Sequence, residues 1–141
     1  MSTQDRAFSS LFVIVTSLAA IALLVVGFEG VYVLVNLRAA DEALQAAALA
    51  ASEAVDVVGE AEYRVLRLRE ADGPSGPSAL SAAQSQIEAR GLADRLVLEG
   101  AVLFDADLWL SGSLHLPTIA GRWVGIEQYT YALAATAPVA P

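Results

Sequence analysis

The sequence predicts an α+β protein in which one long N-terminal helix, transmembrane and then amphipathic, packs on a small antiparallel sheet. Three observations lead there. Residues 7–28 carry no charge, apolar residues recur at heptad spacing from Leu37 to Leu68, and DLWLSGSLHLP, residues 107–117, alternates apolar with polar as a half-buried strand does.

The chain has 141 residues, room for one modest folded domain and one or two helices outside it. Hydrophobic residues make up 56% and the mean hydropathy is +0.55, values of a membrane class. The net charge of −8, with no lysine and eight scattered arginines, excludes the clustered basic footprint of a nucleic-acid binder. No cysteine is present, so there is neither a disulfide framework nor a thiolate ligand or nucleophile.

MSTQDR is a short polar lead, and the first helix is expected to begin near Arg6 or Ala7. The run Ala7–Phe28 is rich in Leu, Val, Ile, Ala and Phe. At about 1.5 Å per residue it is about 33 Å long, enough for a ~30 Å hydrocarbon core. A secretory signal would have a shorter apolar region, about 7–15 residues, and an A-x-A-like cleavage site, which does not follow Phe28 here. Arg6 and Arg38 nearly cancel in the positive-inside count, and the acidic remainder argues for N-in, C-out.

Beyond the membrane, Leu37, Leu44, Ala51, Val58 and Val65 recur at seven-residue intervals, and Ala40, Ala47, Ala54, Ala61 and Leu68 follow each by three. Asp41, Glu42, Glu53, Asp56, Glu60, Arg67 and Glu70 stay off this seam. The spacing is that of a coiled-coil face, and it also fits a helix lying on its own domain's sheet. Gly27, Gly30 and Gly59 are weak points, each costing ~1 kcal/mol against alanine in a helix interior. A rod continuous from residue 8 to 70 would be about 95 Å long, more than so short a chain covers by itself. The expected division is 1–37 transmembrane helix, 38–71 amphipathic heptad helix, and 72–141 a small extracytoplasmic α+β domain.

ADGPSGPS, residues 71–78, breaks the helix. Ser78 or Ser81 is placed to cap a short helix that ends at Gly91 as its C′ residue. LADRLVLEG then predicts a strand with Glu99-Gly100 as a turn, after which AVLF pairs back. In the next strand Leu108, Leu110, Gly112, Leu114 and Leu116 share one face, opposite Asp107, Trp109, Ser111, Ser113 and His115. PTIAG is a loop, RWVGIEQYTYALAAT the last strand, and TAPVAP a frayed tail.

Nothing in the pattern argues for an enzyme. His115 is the one histidine and has no G-x-S-x-G elbow to serve, and P-loop, G-x-G-x-x-G, H-E-x-x-H and EF-hand patterns are missing from the sequence. Asp105 and Asp107 read as a turn rather than a cation site, and no cofactor or metal is expected. Glu29 stands out. With the bilayer ending at Phe28 it lies at the interface; if the apolar run to Leu37 is also buried, it needs a partner, such as a cation or amine on a neighbouring chain.

The opening DRAFSSLFVIV, the apolar run, the acid Glu29 and then VNLRAADEALQAAALAAS resemble the Tad (tight adherence, Flp) pilus-assembly family, specifically its TadE/TadG-like membrane proteins. SLHLPTIAGRWVGIEQYTYALA is similar to that family's ending. The likeness implies a pilin-like fold and a minor pilin or assembly component of the bacterial inner membrane or a cell-surface adhesive filament. Its implied partners are membrane lipid, the pilus-assembly machinery, and copies of itself or other pilins packed through the N-terminal helix. Ala7-Phe8 fits a prepilin processing junction, but Phe12 stands where that pattern has a glutamate. The expected packing positions are Glu29, Leu37, Leu44, Ala51, Val58, Val65 and Leu68. Two other readings stay open: a single-pass accessory subunit of another membrane complex, and a membrane-anchored sensor or binding module with a dimerising stalk.

Overall fold

A computed structural model describes residues 2–60 and 62–139. Helix α1 spans Thr3–Ser52 and starts earlier than expected, because Ser2 caps it. The Ser2 hydroxyl accepts from the Asp5 amide at 3.2 Å, and the Asp5 carboxylate accepts from the Ser2 amide at 3.3 Å, a reciprocal pair that satisfies two donors at the helix start. Gly27 and Gly30 lie inside α1 without interrupting it.

The helix expected to continue to residue 71 ends at Ser52. Strands β1, Val55–Val58, and β2, Val65–Leu68, follow as an antiparallel hairpin with Val55 opposite Leu68 and Val58 opposite Val65. The cause is local. Val55, Val57 and Val58 are stiff at χ1 and favour strand over helix, and Gly59, at φ +112°, turns where any Cβ would collide with the Tyr63 carbonyl. The later heptad positions thus belong to a hairpin: Val58 and Val65 are exposed and Leu68 is half-buried, while Ala61 lies outside the described residues. Arg69 closes the hairpin base on Asp56 at 2.7 Å.

Helix α2, Ala79–Ala89, is capped by the Ser78 hydroxyl, which accepts from the Ser81 amide at 3.1 Å. It ends as expected at Gly91, φ +71°, where the Leu92 amide donates to Ile87 and the Gly91 amide to Glu88. Strands β3, Leu96–Phe104, β4, Asp107–Pro117, and β5, Gln128–Pro138, form an antiparallel sheet in the order β3-β4-β5.

The reversal expected at Glu99-Gly100 is instead a register shift inside β3, between Leu98 and Gly100. Glycine inside a strand marks a bulge as readily as a turn. The chain turns at Asp105 and Ala106, both at positive φ, with Phe104 paired to Asp107. Nor does the last strand begin at Arg122: Gly121–Val124 is a short 3₁₀ turn. The tail is ordered further than expected. Ala137 is fully buried on β5, and the Val139 amide donates to Ala106, leaving Ala140 and Pro141 outside the described residues.

One apolar core joins these pieces. Ala40, Ala43, Leu44, Ala47, Ala48 and Ala51 form a buried stripe on α1 at three- and four-residue spacing, and they meet Ala83 and Ile87 of α2 and the inward Leu108, Leu110, Leu114 and Leu116 of β4. The alanines let the helix approach the sheet closely. Because residues 40–54 and 79–139 contribute to the same cluster, the boundary expected at residue 72 falls within a shared core. Gly112 leaves room for Leu44: a Cβ there would stand 3.0 Å from the Val97 carbonyl oxygen and 3.6 Å from Leu44 Cδ1. Gly112→Val is expected to cost ~2 kcal/mol, read as a lowered thermal midpoint of the solubilised protein.

Candidate functional site

The first half of α1 is uncovered. Its most apolar window has no buried residue, and Phe8, Phe12, Leu24 and Phe28 are all more than half exposed. This is one helix long and apolar enough to cross a membrane. Between Asp5 and Asp41 its single acid is Glu29, and among the described residues Glu29, at 8% exposure, is the one buried position of α1 before Ala40.

What buries Glu29 is the loop between β4 and β5. Thr118, itself buried, ties the loop shut: its amide donates to the Glu127 carbonyl at 3.1 Å and its hydroxyl to the Ile126 carbonyl at 2.6 Å. The Ile126 amide returns to the Gly121 carbonyl at 2.9 Å. Gly121 must be small here, since a Cβ would lie 2.9 Å from Thr118 Cγ2 and 3.1 Å from the Ile126 carbonyl oxygen. Closure turns three consecutive amides outward onto one carboxylate. Ile119 and Gly121 donate to Glu29 Oε1 at 3.1 and 3.4 Å, and Ala120 donates to Oε2 at 3.3 Å. Successive amides of this kind form an anion-binding concavity. Tyr129, on β5, adds its hydroxyl to Oε1 at 3.1 Å.

The result is a latch between the helix and the sheet domain. Burial, then the hydrogen bond to Glu29 and that carboxylate's charge, with a further push from Tyr131, raise the Tyr129 hydroxyl above its ordinary 10.0. The phenol therefore stays a donor at neutral pH. Since the folded value exceeds the unfolded one, the Tyr129 contribution is complete below about pH 10 and is lost as pH rises through the folded value. Tyr129→Phe is expected to speed tryptic cleavage after the exposed Arg122 about threefold, as removal of one hydrogen bond loosens the loop.

Two further ties reach the same helix. Arg95 donates to the Asn36 side-chain oxygen at 3.0 Å, and Asn36 donates to the Tyr32 carbonyl at 2.8 Å. Gln45 donates to the Thr136 carbonyl on β5 at 2.9 Å. Between α1 and the latch loop runs an apolar groove of about 710 Å³, with Val25, Val26 and Val33 on the helix side and Trp123, Val124 and Ile126 on the loop side.

The predicted packing residues divide. Leu44 and Ala51 are fully buried against the chain's own sheet and second helix, and Leu37 packs at the edge of that core. Val58, Val65 and Leu68 are on the hairpin, away from any helix seam. Ala7 and Phe8 lie exposed near the start of α1. Glu29 is paired as a buried acid should be, but with neutral donors of its own chain in place of a cation or amine on a neighbour. Its partners left no side-chain signature to read, because three of the four are backbone amides.

His115 stands beside Thr130, 3.3 Å from its hydroxyl, and Asp105 sits in the β3–β4 turn. Among the described residues no three His, Cys, Asp or Glu side chains gather as a metal site requires. Comparison with family models, curated proteins and solved structures returned no match.

Proposed function

We propose that the chain is a pilin-like component of a Tad- or type IV-type pilus, held as a single-pass membrane protein, N-in and C-out, before it packs with copies or relatives of itself. One observation carries the reading: α1 runs unbroken from Thr3 to Ser52, its apolar first half bare and its second half built into the core of a small domain. A helix that shape is covered by lipid when stored and by other helices when assembled. Head-to-tail packing of such rods propagates into a filament. The packing surface moves, in this account, from residues 37–68 to the bare face of residues 8–35, because Leu44 and Ala51 are already covered. The same burial counts against a dimerising stalk that would pair through Leu44 and Ala51.

A second reading, a retained accessory subunit of a membrane complex, is favoured by Phe12 at the position where prepilin processing wants glutamate. Intact mass of the chain in membranes and in sheared surface material separates the two. The pilus reading expects the chain in sheared fibres, with cleavage at Ala7 if it is processed. Full-length chain confined to the membrane would favour the accessory subunit.

A further inference from the structure

We infer that residues 119–126 form a second membrane-contacting element, which seats Trp123 and Val124 among the acyl chains of the leaflet from which α1 emerges. The inference rests on the reading that α1 spans the bilayer. Trp123 and Val124 are each 77% exposed, and Ile119 and Ile126 are 51% and 45% exposed. Four large apolar side chains within eight residues of a surface loop need a covering phase.

The position of the loop names that phase. Glu29 fixes it beside the end of the uncharged run, so that Ile119 and Trp123 face Leu24, Val25 and Phe28 across an apolar cleft of about 280 Å³. A bilayer that covers Val25 and Phe28 must also meet Trp123. From Glu29 down to Val25 is just over one helical turn, about 6 Å, comparable with the ~5–10 Å depth of interfacial elements. Arg122, the one charge between Ile119 and Ile126, is exposed and donates through Nη2 to the Thr118 carbonyl at 3.3 Å, back toward the base of the loop; a long side chain of this kind keeps its charge at the polar level while its stem lies against apolar surface. Tryptophan, with an apolar ring and one N–H, suits the same boundary.

The latch makes entry feasible. Backbone donors left bare in hydrocarbon cost several kcal/mol each. Here the amides of Ile119, Ala120 and Gly121 are spent on Glu29, and those of Trp123, Gly125 and Ile126 on carbonyls within the loop. Glu29 thus serves a purpose beyond joining helix to domain: it covers three of the loop's amides that would otherwise favour water.

The two tryptophans make the test direct. Full-length Trp109→Phe, with Trp123 as its only reporter, is reconstituted in phosphatidylcholine/phosphatidylglycerol vesicles whose acyl chains carry bromine near the headgroup. Trp123→Phe, reporting Trp109 on the sheet, is compared with it, as is Phe12→Trp in a chain lacking both natural tryptophans. The expected result is about a twofold loss of Trp123 emission, blue-shifted, with Trp109 unaffected. Quenching at position 12 but not at Trp123 would overturn the inference and leave the spanning helix standing. No quenching at either would overturn both. Trp123 shielded from bromolipid and from aqueous iodide alike would assign the loop to a protein partner, a second copy included, and would also overturn the inference.

Discussion

Glu29→Leu is expected to free the loop between β4 and β5 from α1 and to raise tryptic cleavage after Arg122 about tenfold or more. Leucine fills the space but accepts nothing, leaving the amides of Ile119, Ala120 and Gly121 and the Tyr129 hydroxyl without their shared acceptor. Glu29→Gln should fall between wild type and Glu29→Leu. Its amide oxygen still accepts, but its NH₂ is brought against donors. Tyr129→Phe, which removes one donor and keeps the carboxylate on its three amides, should be the mildest. An unchanged cleavage rate in Glu29→Leu would show that the closed hairpin loop, not the carboxylate, sets its position.

Leu44→Asp is expected to abolish the folded domain. Leu44 is fully buried where α1 crosses the sheet over Gly112, so the substitution removes a packed side chain and places a carboxylate within the apolar core. The combined cost is about 4 kcal/mol or more, enough to unfold a domain whose stability lies at the lower end of the usual ~5–15 kcal/mol. The solubilised variant should lose its protease-resistant fragment. Glu53→Ala, at an exposed position just past the end of α1, should be indistinguishable from wild type by the same measure. Equal behaviour of the two would remove Leu44 from the core.

The structure that local rules control was legible in the residues. The alternation of β4 put Leu108, Leu110, Leu114 and Leu116 inward, as observed, and Ser78 and Gly91 delimit α2 through a side-chain cap and a left-handed glycine. The heptad positions from Leu37 to Ala51 lie on α1, while the helix expected beyond them ends at Ser52. Alanine satisfies any apolar template, and the seven-residue step from Val58 to Val65 survives in a hairpin, where those two valines pair across the strands. The β-branched run ending at Gly59 was the contrary signal, and it decided the outcome.

Glycine misled at the other end of the sheet. Gly100 bulges β3, and the turn belongs to Asp105-Ala106, which begins five residues later. For Glu29 the sequence marked the anomaly and not its resolution. A lone acid beside a membrane run is visible in one dimension; amides from a loop 90 positions further along are not. Placing them required Gly121 and Thr118 to close that loop, a tertiary arrangement with no periodicity to detect.

The absence of cysteine allows the central claim, a single helix that crosses the bilayer and continues into an outside domain, to be tested by single-cysteine labelling in intact cells. Gly73→Cys, on an exposed turn with open space around its Cβ, should react with a membrane-impermeant maleimide added outside. Leu18→Cys should stay unlabelled, and Thr3→Cys should react only after permeabilisation. Labelling of Leu18→Cys in intact membranes, or of Gly73→Cys only after permeabilisation, would contradict the account.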